Sequence, residues 1–206
     1  MLRKGLSNHF REQKFSHLLA IDFEATCLSG NRLIDPQEII EFPCLKVETK
    51  GFNVVDQFHS YVKPKFHPIL SEFCTELTGI MQETVQAQPE FPIVFKMFQD
   101  WLSANNDMGN DFAFVTCGDW DLKVCLPNQC KASGLKLPEY CQRWVNIKKS
   151  HQMVHNKFPR SLNEMLVQNG LSFEGRPHSG IDDTQNLVRL IKALAVSGHV
   201  FDLNSP

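Results

Sequence analysis

Apolar and polar residues alternate along this chain in blocks that predict both strands and helices. Leu18 to Thr26 (Leu-Leu-Ala-Ile-Asp-Phe-Glu-Ala-Thr) is an apolar run of strand length between polar segments, the pattern of a buried β-strand. After a polar loop from Leu28 to Gln37, Glu38–Val47 reads as a second strand and Phe52–Val62 as a third. Gly51 between those two predicts an antiparallel hairpin. Pro64 and Pro68 mark a loop, and Ser71–Leu77 reads as a short helix capped by Ser71 and stopped by Gly79. Apolar positions 94, 95, 98, 101 and 102 have helical spacing within Phe91–Leu102. Phe112–Cys117 predicts a strand, followed by a helical stretch to about Ser133 with a bend at Pro127. Trp144–Ile147 predicts a short last strand. Ser161–Asn169 predicts a helix with Ser161 and Glu164 at capping-box spacing, and Asp182–Val196 a final helix. Strands first, then strands alternating with helices, indicate an α/β protein: a mixed sheet with helices on both faces. No internal repeat or low-complexity linker interrupts the pattern, so one domain is expected over 15–203, preceded by a flexible segment, 1–14.

Composition narrows the class. A chain of 206 residues, 42% hydrophobic and 21% charged, suits one soluble domain with a full core. No apolar run reaches membrane-span length, and residues 1–17 lack the apolar core of a secretory signal. The seven scattered cysteines include no Cys-x-x-Cys pair and point to reduced thiols inside a cell, in cytoplasm, nucleus or both. A zinc site built from Cys125, Cys130, His151 and His155 is a minor alternative. Net charge is −2, but residues 121–160 carry +6 and the rest −8. A basic stretch beside acidic ligands would suit a phosphate-cleaving enzyme; a solvated helix face would look the same.

The chemistry lies in the acids. Asp22 and Glu24 are two residues apart in a strand, so they share a face. Two like charges in an apolar setting repel and lose hydration, and a cation such as Mg²⁺ or Mn²⁺ relieves both penalties. In the last helix, Leu187, Leu190, Ile191 and Leu194 follow Asp183 at +4, +7, +8 and +11, which puts Asp183 on the inward stripe. Asp182 shares a phase with Asn186, Arg189 and Ala193 and is expected to cap or face solvent. Asp121 follows strand 112–117, with Asp119 as its rival for an inward role. Trp120 is expected to wedge into the core and aim Asp121, with base stacking as a second role. His178, five residues before Asp183, could take a proton from an activated water.

Asp22-x-Glu24, Asp121 about a hundred residues on, and His178-x4-Asp183 together resemble the DEDDh family of 3′→5′ exonucleases, with its ribonuclease H-like mixed sheet. The likeness spans 17–200 and is nearest to the 3′ histone mRNA exonuclease and enhanced-RNAi exonuclease branch, most of all its prion-protein-interacting or Snipper-type members. It rests on Asp22-Phe-Glu-Ala-Thr-Cys27, Pro36-Gln-Glu-Ile-Ile-Glu-Phe-Pro43, His67-Pro-Ile-Leu-Ser-Glu-Phe-Cys-Thr-Glu-Leu-Thr-Gly-Ile80, Thr116-Cys-Gly-Asp-Trp-Asp-Leu-Lys123, Trp144-Val-Asn-Ile-Lys-Lys149 and Gly175-Arg-Pro-His-Ser-Gly-Ile-Asp-Asp183. The resemblance implies that Asp22, Glu24, Asp121 and Asp183 hold two Mg²⁺ or Mn²⁺ ions and that His178 is the general base. It also implies release of nucleoside 5′-monophosphates from single-stranded or short-overhang RNA 3′ ends, by a monomer with no membrane partner. Ala25, Thr26, Leu77, Thr78, Gly79, Trp120 and His178 would surround the terminal nucleotide, with Glu41 and Phe42 at its border and Lys123, Lys148 and Lys149 on phosphates. The N-terminal nucleic-acid-binding domain of some members has no counterpart in these 206 residues, so the resemblance does not extend to specificity for a histone stem-loop. The rival readings are a DNA exonuclease on the same scaffold, a catalytically silent RNA-binding adaptor and a zinc-stapled adaptor.

Overall fold

The computed structural model describes residues 10–30, 32, 34–104 and 111–205. Parts of the expected N-terminal segment (1–9) and of the polar loop (31 and 33) lie outside the described residues. Six strands form one sheet: β1 (His17–Ile21), β2 (Glu24–Ala25), β3 (Ile39–Glu48), β4 (Asn53–Tyr61), β5 (Phe112–Thr116) and β6 (Trp144–Asn146). β3 pairs antiparallel with β1 and β2 end to end along one edge, and with β4 along the other. β1 continues the sheet through parallel pairing with β5, and β5 with β6. The expected mixed sheet is therefore present.

The first run is not one strand. It leaves the sheet at Asp22-Phe23 and re-enters it at Glu24, with a register shift. Facing nevertheless survives the break. Leu18 and Ala20 pack into one core layer; Leu19, Ile21, Phe23 and Ala25 pack into the other. Asp22 and Glu24 continue the even series, as alternation requires.

The odd-numbered face is covered by α3 (Phe91–Ala104), where Phe42 packs on Phe23 and Phe98 at ring separations of 4.7 and 4.6 Å. The even-numbered face is covered by α5 (Ile147–His155), α6 (Leu162–Gln168) and α7 (Gly180–Val196). A third cluster joins Ile40 to α1 (Glu72–Thr78) and α2 (Gln82–Gln86).

Local chemistry explains the boundaries. The Ser71 hydroxyl accepts from Cys74 N–H at the start of α1, and Gly79 ends that helix at φ +77°. The Ser161 hydroxyl caps α6 as expected, but the Glu164 carboxylate takes the N–H of Arg160 rather than that of Ser161, so the capping box is displaced by one residue. The expected bend at Pro127 is instead a π-type turn at Asp121–Cys125, where Leu126 N–H reaches Asp121 O. Pro127 sits in the first turn of α4 (Leu126–Ala132), where no amide proton is needed. Residues 10–14, expected to be flexible, are held: Phe10 packs on Phe52 at 4.9 Å, and Gln13 bonds His199 O and Phe201 N–H. Among the described residues no helix is long and apolar enough to cross a membrane.

Candidate active site

Four elements end at one place. Asp22 follows β1, Glu24 opens β2, Asp121 begins the π-type turn after β5, and Asp183 lies in the first turn of α7. Asp121 is 3% exposed and Asp183 8%, whereas Asp22 and Glu24 keep part of their surface open. Asp121 Oδ1 accepts the N–H of Phe23, the residue between the first two acids, at 2.9 Å. The break in the first strand thus frees the amide that fixes the third acid. Asp119, its rival, is spent elsewhere: its Oδ1 accepts from Trp144 Nε1 and Asn146 Nδ2, both at 2.9 Å.

The electrostatics have one sign. Burial and then the charges of Asp121, Asp183, Glu24 and Glu41 all push Asp22 well above the usual carboxylate range. Burial, then Asp183, Glu41 and Asp121, push Glu24 up to about 9. Burial raises Asp121 and Asp183 to about 6 each, against the pull of backbone N–H groups: those of Phe23 and Asp121 itself on Asp121, and that of His178 on Asp183. Among the described residues no lysine or arginine forms an ion pair with any of the four. A crowded set of hard oxygen donors lacking a cationic side chain fits Mg²⁺ or Mn²⁺ rather than a thiophilic ion. Among the described residues no three His, Cys, Asp or Glu side chains stand at closed ligating separation.

α7 is brought to the sheet by Gly180 and Glu41. A methyl group on Gly180 would stand 2.9 Å from Asp22 O and 3.1 Å from Glu41 Oε2, so only glycine allows this approach. The buried Glu41 carboxylate accepts Gly180 N–H at 2.9 Å and Ile181 N–H at 3.2 Å, capping α7, and meets His59 Nε2 at 2.8 Å. Its sequence signal is an acid inside the apolar run Ile39–Phe42. His178 sits in the exposed loop ahead of α7 at φ +63°, its N–H bonded to Asp183 Oδ2 at 2.7 Å. Asp182 does not cap α7; its carboxylate accepts the loop N–H of Arg176 at 2.8 Å, and Asn186 in the same phase is fully buried and holds Glu174 rather than facing solvent.

Several expected nucleotide contacts are placed differently. Trp120 is 39% exposed instead of wedged in the core, because Asp119 and the Phe23 amide already fix this turn. That exposure leaves its ring open for stacking. Thr26 is 2% exposed; its N–H bonds Glu38 O and its hydroxyl accepts Glu38 N–H, so it locks the sheet. Thr78 is also 2% exposed, its hydroxyl donating to Cys74 O. Leu77 and Gly79 keep open surface, and Ala25 is buried in the core, where Cys74 Sγ reaches its carbonyl. A methyl group on Gly79 would come within 3.0 Å of the Arg176 guanidinium. Phe42 is fully buried in the core. Lys148 and Lys149 donate to Arg160 O and Asn204 O, and Lys157 pairs with Glu164, so much of the basic stretch is internally engaged; Lys123 is exposed. Cys125 and Cys130 lie in the α3 layer, while His151 and His155 stack on each other along α5 on the opposite face, so the zinc alternative fails.

Comparisons with known proteins agree with this geometry. A model of the exonuclease family RNase_T matches residues 19–191. ERI1 exoribonuclease 3 from Homo sapiens is 44% identical over 201 residues, 95% of this chain. 3'-5' exoribonuclease 1 from Rattus norvegicus is 36% identical over 99% of it. The chain spans 58% and 64% of the length of those two relatives. The crystal structure of the nuclease domain of 3'hExo, a DEDDh family member bound to rAMP, superposes with a TM-score of 0.89 at 36% identity, covering 93% of this chain and 98% of that one. That of cell-death related nuclease 4 superposes at 0.86, with 26% identity over 92% of this chain and 67% of that one. The sheet described above is therefore the ribonuclease H-like sheet of these enzymes, and the resemblance drawn from the motifs is borne out. The chain belongs to the RNase_T exonuclease family, among its DEDDh members.

Proposed function

We propose that this protein is a metal-dependent 3′→5′ exoribonuclease that releases nucleoside 5′-monophosphates. The observation that carries the reading is the convergence of Asp22, Glu24, Asp121 and Asp183, every one pushed upward by burial, with no lysine or arginine paired to them among the described residues and His178 on the adjoining loop. The four carboxylates would hold two Mg²⁺ or Mn²⁺ ions. Bound there, the ions would lower the pKa of a water and offset charge on the scissile phosphate and the leaving 3′ oxygen. His178, hydrogen-bonded through its backbone to Asp183, would accept the water's proton. Leu77, Gly79 and the open face of Trp120 would receive the terminal nucleotide. RNA is preferred as substrate because the relatives 36–44% identical are named exoribonucleases, one similar domain was solved with rAMP, and another similar protein with a histone mRNA stem-loop.

The test uses matched 5′-labelled single-stranded RNA and DNA with free 3′ hydroxyls. With Mg²⁺ or Mn²⁺ the protein should shorten RNA from the 3′ end one nucleotide at a time, and Asp22→Asn should abolish this. No mononucleotide release would exclude catalysis and leave the adaptor reading. Faster loss of DNA would reverse the substrate preference.

A further inference from the structure

The loop that carries His178 has little packing to hold it. Residues 174–178 are all exposed. The loop's inner side is tied to α7: Glu174 to Asn186 and Arg189, Arg176 N–H to Asp182, and His178 N–H to Asp183. Within the loop, Ser179 N–H closes on Arg176 O at 3.2 Å. Among the described residues, one side chain of this loop crosses to another part of the molecule. Arg176 Nη2 donates to Glu76 O in the last turn of α1, and its guanidinium lies over Gly79. Glu76 O is one of the helix-end carbonyls that lack an intrahelical partner, at the negative end of the α1 dipole, so a guanidinium is well matched to it. Glycine is favoured there by its φ of +77°, and a methyl group at this position would also displace the guanidinium.

We propose that Arg176 is a positioning residue that couples the nucleotide-holding end of α1 to the loop bearing the general base. This rests on the exonuclease reading above. Leu77–Gly79 and His178 stand on separate elements, yet both must address the same terminal nucleotide. Arg176 sets the distance between them, so a nucleotide seated against α1 meets an imidazole already in register. The guanidinium acts through His178: Nη2 is held by a protein carbonyl, and any contact of its remaining donors with substrate would show in KM.

The experiment compares the intact chain with Arg176→Ala, Arg176→Lys, His178→Ala and the Arg176→Ala/His178→Ala double variant. kcat and KM are measured on a 3′-hydroxyl single-stranded RNA oligomer with Mg²⁺, together with melting temperature. Arg176→Ala should lower kcat about 10- to 100-fold, the scale of a misplaced reacting group. KM should stay within about twofold and melting within about 2 °C, as for an exposed side chain. Arg176→Lys should recover part of kcat, because an ammonium can reach the carbonyl but cannot lie flat on Gly79. Added to His178→Ala, the Arg176→Ala change should cost nothing more, since both act on one step. A raised KM with kcat intact would make Arg176 a substrate contact, and additive losses in the double variant would make it independent of His178; either overturns the proposal. An active wild type with an unaltered Arg176→Ala also overturns it while leaving the exonuclease reading standing. An inactive wild type would overturn both.

Discussion

At the scale of single residues, the site is a balance between charges that repel and the few groups that hold them. Asp121 and Asp119 are two residues apart and the same residue type, yet one becomes a candidate ligand and the other a brace. The difference lies in their partners: the Phe23 amide for Asp121, and the Trp144 indole and Asn146 amide for Asp119. Hydropathy could rank them only by distance from the strand, because the partners come from remote segments. Glu24, raised to about 9 by burial and then by the charges of Asp183, Glu41 and Asp121, shows the strength of the combined penalty. Its folded pKa lies above the ordinary 4.5, so the fold favours its protonated form. Glu24 therefore costs stability at every pH where the unfolded chain ionises it. Glu24→Gln should remove that cost and one ligand together. Mononucleotide release should fall by about two orders of magnitude or more. The metal-free variant should melt higher than metal-free wild type at pH 8, by roughly 2–4 °C per kcal/mol regained. Calorimetry in EDTA checks the second claim, and a lower melting point would show that repulsion does not dominate at this position.

At the scale of elements, periodicity located most of the fold because most elements bury an apolar face. α7 and α3 were legible from their stripes, and the inward phase of Asp183 followed from the first. α5 was not legible, because its buried positions are Ile147, Ser150 and His151, and two polar residues conceal the period. The split between β1 and β2 was also hidden, since alternation of facing continues through it and only the hydrogen bonding changes. Trp120 misled for a related reason: an aromatic beside a strand end is usually core, but here other groups already fix the turn. The start of α7 approaches the sheet closely at Gly180. Gly180→Ala would drive a methyl group into the Asp22 carbonyl and the Glu41 carboxylate, and backbone cannot yield cheaply. We expect about 1–3 kcal/mol of destabilisation, with activity lost beyond what that explains because Asp183 moves with the helix. Ser161→Ala, at the cap of α6 and away from the acids, should cost about 1 kcal/mol and leave kcat unchanged. Equal loss of activity in both variants at a temperature where both are folded would refute the link between Gly180 and the site.

At the scale of the whole molecule, fold class and the four acids were readable, while the use of the basic stretch was not. Its charge excess is real, but Lys148, Lys149 and Lys157 are engaged with protein groups in three dimensions. Overall charge is only −2, so global self-repulsion is weak and the acidic centre should govern the pH response of stability. Asp22, Glu24, Asp121 and Asp183 are all shifted upward. Between the ordinary carboxylate range and about pH 9, the value that Glu24 reaches, the fold holds protons that the unfolded chain has released. Stability of the metal-free protein should therefore fall as pH rises through that window. A bound cation reverses the logic, because it takes the place of those protons and binds the ionised acids best. Mg²⁺ at about a hundred times its dissociation constant should add roughly 2.7 kcal/mol, and the gain should grow with pH. Melting curves from pH 5 to 9, in EDTA and in Mg²⁺, should diverge, with the metal-free midpoint dropping and the Mg²⁺ midpoint holding nearly level. Parallel curves would mean that the four carboxylates are satisfied without a metal, and with that the two-metal reading would lose its physical basis.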